Sequence, residues 1–143
     1  MTPYLLDVNV LIALVRPRHS HHQKVMTWFK SVGRRHWATC ALTEAGFVRV
    51  VSNPKFTAQA LSVAEALRLL SELTAVAGHQ FWPLDQGLVD IVRPFEERFF
   101  GHQQVTDIYL LGLTLKNKGK LVTFDRGLLF LAGDDFSAQV TVL

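Results

Sequence analysis

Four carboxylates, those of Asp7, Glu44, Asp107 and Asp125, each fall where a predicted strand ends or a predicted helix begins, in four separate strand–helix units. In an open parallel sheet such positions meet at one edge, in the crevice beyond the carboxyl ends of the strands. Carboxylates gathered there raise each other's pKa and destabilise the fold unless something positive neutralises them. The chemistry this pattern suits is the holding of a divalent cation by hard oxygen ligands, and with it the hydrolysis of a phosphate ester.

Each acid also has a plainer reading. Asp7 interrupts Tyr-Leu-Leu and Val-Asn-Val-Leu-Ile-Ala-Leu, a run that would otherwise be wholly buried, where an unpaired carboxylate is expensive; alternatively it caps the helix that follows. Asn9 reads as a cap or a hydrogen-bonding orienter rather than a ligand. Glu44 and Asp107 lie in first turns of predicted helices, which the macrodipole favours by about 0.3–1 kcal/mol without any function. Asp107, however, shares a side with Leu110, Leu111 and Thr114, a side a solvated acid avoids. Asp125 sits in Phe-Asp-Arg-Gly, an ordinary turn sequence. Four acids at four sheet-edge positions are harder to ascribe to chance than any one.

Other chemistries find less support. The six histidines show no ligand spacing; His19, His21 and His22 cluster at a helix start, where solvated or capping roles are the default. There is no Gly-rich phosphate loop, Cys-x-x-Cys pair, Gly-x-Ser-x-Gly elbow or His-Glu-x-x-His helix. Dinucleotide binding, structural zinc and serine hydrolysis are disfavoured. Arg16, Arg18, Arg34, Arg35 and Arg49 are the basic residues expected nearest the acidic edge, and their forked donors suit phosphate. Trp28, Phe29 and Trp37 read as core anchors.

The elements that must position these residues alternate strand, helix, strand, which predicts an α/β fold with a parallel sheet covered on both faces. We read strands at 4–6, 36–40, 81–84, 120–124 and 139–143, and helices at 8–15, 20–32, 41–52, 62–77 and 104–117, with Asp85 capping a further short helix and Thr106 a possible cap of the last. Arg16-Pro17, Gly33, Asn53-Pro54, Gly78 and Gly119 end the helices.

The 143 residues, 49% apolar, make one domain able to bury roughly 70% of its unfolded surface. A single cysteine, Cys40, rules out an intrachain disulfide. The apolar stretch 10–15 is too short to span a bilayer or form a signal-peptide core, which places the expected protein in the cytoplasm. Net charge is +3, and the 15 basic side chains face only eight acidic ones once the four edge carboxylates are set aside. A basic surface around an acidic hole suits a phosphodiester.

Taken in order, Leu-Leu-Asp7-Val-Asn9-Val-Leu-Ile-Ala-Leu, Thr43-Glu44-Ala-Gly-Phe-Val-Arg49, Val105-Thr106-Asp107-Ile-Tyr-Leu-Leu and Val122-Thr123-Phe-Asp125-Arg-Gly-Leu resemble the PIN-domain nucleases, and among them the VapC toxins of bacterial toxin–antitoxin modules. The resemblance spans nearly the whole chain. It implies one PIN domain over residues 1–143, a three-layer α/β/α sandwich with a central parallel sheet, and a Mg²⁺- or Mn²⁺-dependent endoribonuclease, usually a homodimer, inhibited by a cognate VapB antitoxin. Residue by residue, it matches Asp7 and Asp107 to the acids that coordinate the metal, Glu44 and Asp125 to the other two acids of the catalytic quartet, and Thr123 to a small polar residue just before the last acid; we also expect Asp125 at the metal and Asn9 in a supporting place.

The expected reaction is water attack on an RNA phosphodiester, with Glu44 or Asp125 orienting the water or a second metal. A housekeeping PIN nuclease and a catalytically silent RNA-binding module are the alternatives within this reading. A phospho-acceptor signalling domain, with Asp85 as acceptor, is the rival from another class, but it wants an adjacent acidic pair where Asp7-Val8-Asn9 stands. A haloacid-dehalogenase-type phosphatase wants a second Asp at position 9.

Overall fold

The computed structural model describes residues 1–98 and 101–143. Five strands, β1 (Tyr4–Leu6), β2 (Trp37–Cys40), β3 (His79–Trp82), β4 (Lys120–Thr123) and β5 (Val140–Val142), form one all-parallel sheet in the order β3-β2-β1-β4-β5. β1 is central because Tyr-Leu-Leu can be buried on both faces. Leu5 pairs with Ala38 on one side and Leu121 on the other, and all three are fully buried. Chain order runs outward from β1 in both directions, so the topological switch point lies between β1 and β4. Ligands of open α/β sheets bind in the crevice there.

Side-chain alternation along the strands divides the core into two halves. Leu5, Ala38, Cys40 and Leu121 face one cluster with Ile108, Leu111 and Leu128. Leu6, Trp37 and Val122 face the other, with Val10, Phe29, Phe47 and Leu70. The first layer holds α5 (Leu88–Ile91), α6 (Val105–Lys116) and α7 (Gly127–Phe136); the second holds α1 (Val8–Val15), α2 (His22–Ser31), α3 (Ala41–Val51) and α4 (Val63–Thr74). This is the expected three-layer α/β/α sandwich.

Local chemistry sets the boundaries. Asp7 caps α1, and Pro17 excludes the α conformation from Arg16, which ends it. Ser62 and Glu65 close a reciprocal capping box on α4. Gly112 lets α6 lie against α5, since a Cβ there would stand 2.2 Å from the Ile91 carbonyl oxygen.

Four expectations need correction. β3 runs over His79–Trp82 rather than 81–84, because Gly78, at φ 92°, turns the chain directly into the strand and Pro83 cannot continue its ladder. α4 accordingly stops at Thr74. Asp85 caps nothing; it pairs with the Lys116 ammonium, which holds its carboxyl below the usual carboxylate range, and Gly87 opens α5. Gln104, not Thr106, stands at the N-cap of α6. With β3 at the sheet edge and Asp85 tied to Lys116, Asp85 does not stand at a central phospho-acceptor position, and the signalling-domain rival loses its acceptor.

Candidate active site

The end of β1 and the end of β4 lie side by side across the switch point, and the backbone continues their pairing one step further: the Asp7 amide donates to the Val122 carbonyl at 3.0 Å. That register brings Thr123 beside Asp7. The Thr123 hydroxyl, buried at 1% exposure, donates to Asp7 Oδ2 at 2.8 Å, while the Val8 amide donates to Oδ1 at 2.8 Å. Asp7 is therefore both a helix cap and a fixed edge carboxylate. The same Thr123 oxygen accepts the Asp125 amide at 3.0 Å, and Asp125 Oδ1 accepts the Gly127 amide at 2.8 Å. One hydroxyl thus orients two of the four acids.

Asp107 arrives from the first turn of α6, over the same face. Burial first, and then the negative charges of Asp7 and Asp125, push its carboxyl up to about 6. Asp7 is also raised, chiefly by burial, against the opposing hydrogen bonds from Thr123 and Val8, with repulsion from Asp125 added. The charge of Asp125 acts on both Asp7 and Asp107, and that of Asp7 on Asp107, which links the three acids electrostatically.

Glu44 behaves differently. It enters from the first turn of α3, in the opposite layer, and its Oε2 accepts the Thr39 hydroxyl at 2.6 Å. Thr39 Oγ1 also lies 2.8 Å from His79 Nε2. The charge of Glu44 acts on His79, raising it against the stronger lowering by burial, and not on Asp7 or Asp107. Three of the four sequence-picked acids come together, and the fourth heads a separate Glu44–Thr39–His79 chain. Neither Thr39 nor His79 stands out in the sequence, although Thr39 is a fully buried hydroxyl in a strand otherwise made of Trp, Ala and Cys.

Asn9 is exposed in the first turn of α1. Arg34 and Arg35 lie before β2 with Met1, His36 and Gly78, at the amino edge of the sheet rather than near the acids, because the turn that ends α2 leads into a strand start. Arg16 and Arg18 remain on the site's flank, lining a cleft with Asn9.

Among the described residues, no three His, Cys, Asp or Glu side chains stand as a ready-made metal cage. The donor chemistry nevertheless fits a hard divalent cation: three aspartates, two of them destabilised in the charged form by burial and mutual repulsion, are what such a cation relieves.

Residues 4–133 match the family model for the PIN domain. The chain belongs to the PIN-domain family, as a VapC-type member. It is 48% identical over 128 residues to Ribonuclease VapC38 of Mycobacterium tuberculosis (strain ATCC 25618 / H37Rv), covering 90% of this chain and 89% of that protein. It is 42% identical over 124 residues to Ribonuclease VapC39 of the same strain, covering 87% and 89%. The fold of this VapC-type chain is also that of a Rickettsia felis VapBC2 crystal structure bound to a DNA fragment from its promoter, at TM-score 0.66, 9% identity and 99% coverage of both chains. FitAcB from Neisseria gonorrhoeae gives TM-score 0.65 at 21% identity, covering 98% and 96%. No described helix of this PIN domain is long and apolar enough to cross a membrane.

Proposed function

We propose that this PIN domain is a divalent-metal-dependent endoribonuclease, using Mg²⁺ or Mn²⁺, that acts as the toxin of a toxin–antitoxin pair. The observation that carries the reading is the cluster of Asp7, Asp107 and Asp125 at the switch point, two of them with carboxyls raised by burial and like charge. The relatives named Ribonuclease VapC support RNA as the substrate. The VapBC2 and FitAcB neighbours share the fold. A VapB-like antitoxin, a homodimer and a cytoplasmic setting complete the proposal.

Asp7, Asp107 and Asp125 would hold the cation, which when bound neutralises charge on the phosphodiester and lowers the pKa of the attacking water. The chain's own work is orientation. Thr123 and the Val8 amide take up one oxygen each of Asp7, fixing its carboxylate plane. The Gly127 amide fixes Asp125 in the same way. Asp107, able to carry a proton up to about pH 6, must release it before it can act as a ligand. Glu44, held by Thr39, is the acid left for water or substrate rather than for the metal.

The test is cleavage of a mixed pool of structured and single-stranded RNAs in Mg²⁺ or Mn²⁺, with wild type, Asp7→Asn and Asp107→Asn. Metal-dependent cutting lost in both variants, leaving 5′-phosphate and 3′-hydroxyl ends, is the expected result. Cyclic phosphate ends would exclude water as the nucleophile. Binding without cutting would favour a silent RNA-binding module.

A further inference from the structure

A cleft of about 360 Å³ runs beside α1, outside the acidic cluster. Asn9, Ile12 and Arg16 line it at helical spacing, together with Arg18, His19 and Phe56. At 1.5 Å per residue, Asn9 to Arg16 covers about 10 Å of helix. Among the described residues, no acidic side chain lines the cleft.

Two of its lining residues, Asn9 and His19, connect it to the catalytic edge. Asn9 lies two residues after Asp7. The His19 ring stacks on Phe124 at 6.2 Å, with His21 on the same ring at 4.5 Å, and Phe124 immediately precedes Asp125. Arg16 Nη2 donates to the Gln59 carbonyl at 2.8 Å and so ties the loop after α3 to the end of α1. That contact uses one donor of the Arg16 fork and leaves the others for a ligand. Phe56, 70% exposed, presents its ring on that loop with nothing in the fold to account for it.

We propose that this cleft is a subsite for one nucleotide of single-stranded RNA flanking the scissile phosphate, with its phosphate on Arg16 and Arg18 and its base against Phe56. The inference rests on the nuclease reading above. Forked arginines beside an exposed aromatic are the pairing single strands use, backbone charge on one side and a π-face on the other. The enclosed volume suits one flexible nucleotide better than a duplex, whose bases are already stacked and whose width the cleft cannot admit. Charge argues against an arginine-bearing protein tail in the same place, since the cleft is itself basic.

The experiment uses the full chain carrying Asp7→Asn, so that RNA is bound and not cut, with a fluorescein-labelled single-stranded RNA that the wild type cleaves, or any member of the pool if it cleaves none. Phe56→Ala, Phe56→Trp and Arg18→Glu are added singly, and binding is read by anisotropy. The same three substitutions in the active chain give kcat and KM. Both positions are exposed, so thermal melts should match the parent. Phe56→Ala and Arg18→Glu should each weaken binding about ten-fold and raise KM, with kcat held at saturating RNA, and Phe56→Trp should retain binding. The proposal is overturned if the variants bind and cut like the parent; the nuclease reading then stands by itself. It is equally overturned if they weaken only the hold of a co-expressed protein inhibitor, which would make the cleft a protein-docking surface. Loss of binding in the variants of a chain that cuts nothing would support the subsite and sink the nuclease reading.

Discussion

Thr123 donates its hydroxyl to Asp7 at 2.8 Å, joining the ends of two adjacent strands that are 116 residues apart in the chain. Because the same oxygen accepts the Asp125 amide, this one side chain fixes the spacing of two candidate ligands. Thr123 is buried at the end of β4 and, among the described residues, its hydroxyl meets no other side chain, so keeping its shape and losing its hydroxyl can be separated by substitution.

Thr123→Val keeps the volume and removes the donor. A buried hydrogen bond to a charged group contributes about 1.5–3 kcal/mol, and losing it raises the Asp7 carboxyl further. We expect a lower melting temperature, weaker Mg²⁺ binding by calorimetry and a fall in kcat, with Thr123→Ser restoring all three. A valine variant with undiminished metal affinity would show that Asp7 needs no orienting partner.

The raised Asp107 carboxyl sets a pH dependence of known sign. Its folded value, about 6, lies above its ordinary value of 3.8, so the metal-free folded state binds more protons and loses stability as pH rises through that window. Fully realised, the shift would correspond to about 3 kcal/mol; solvent reaching the half-exposed carboxylate screens it to roughly 1 kcal/mol. Mg²⁺ acts in the opposite sense, since it binds the deprotonated form. Between pH 4 and pH 7 without metal, wild type should lose stability relative to Asp107→Asn in thermal melts, since groups that act in the opposite sense, such as His79 with its lowered pKa, are common to both chains. The gain from Mg²⁺ should grow across the same range, and in Asp107→Asn that growth should flatten.

Gly112 tests how α6 carries Asp107 to the edge. A methyl group at this position meets the Ile91 carbonyl oxygen at 2.2 Å, a backbone atom that cannot swing aside. Gly112→Ala should destabilise by about 1–3 kcal/mol, lowering the melting point by about 2–4 °C for each, and should also reduce kcat because the shift of α6 moves Asp107. An alanine variant that melts like wild type would mean that α5 yields.

The parallel sheet and the acids at its edge are legible in the sequence because each lies at a junction between an apolar run and a turn, where pattern and charge conflict openly. The direction of Glu44 is not legible: a first-turn position fixes its height above the sheet but not where its carboxylate turns, and that depends on the Thr39 hydroxyl at the end of β2, five residues earlier in the chain. α7 escapes the reading for a different reason. Phe-Asp-Arg-Gly looks like a turn, and Gly133, at φ 65°, breaks the helical period inside Gly127–Phe136. Yet β4 and β5 are parallel, and parallel neighbours need a crossover of about a dozen residues or more. The early start of β3 escapes because Gly78 acts as a turn into the strand and not as a helix stop.

The Glu44–Thr39–His79 chain carries its own proton logic. Thr39 has one hydroxyl hydrogen and gives it to Glu44, so at His79 its oxygen accepts, and Nε2 must bear the hydrogen. Burial against Trp37, at 4.6 Å between ring centroids, lowers the His79 pKa below 6.5 despite Glu44, so the ring is a neutral donor at pH 7. Nitrogen-15 spectra should show His79 as the Nε2–H form. Thr39→Val breaks both bonds and should release Glu44, lowering kcat more than it raises KM if that acid orients water. His79→Ala should have a smaller effect, because Thr39 can still reach Glu44 without it. A Thr39→Val variant with unchanged kcat and pH profile would leave Glu44 without a part in the chemistry.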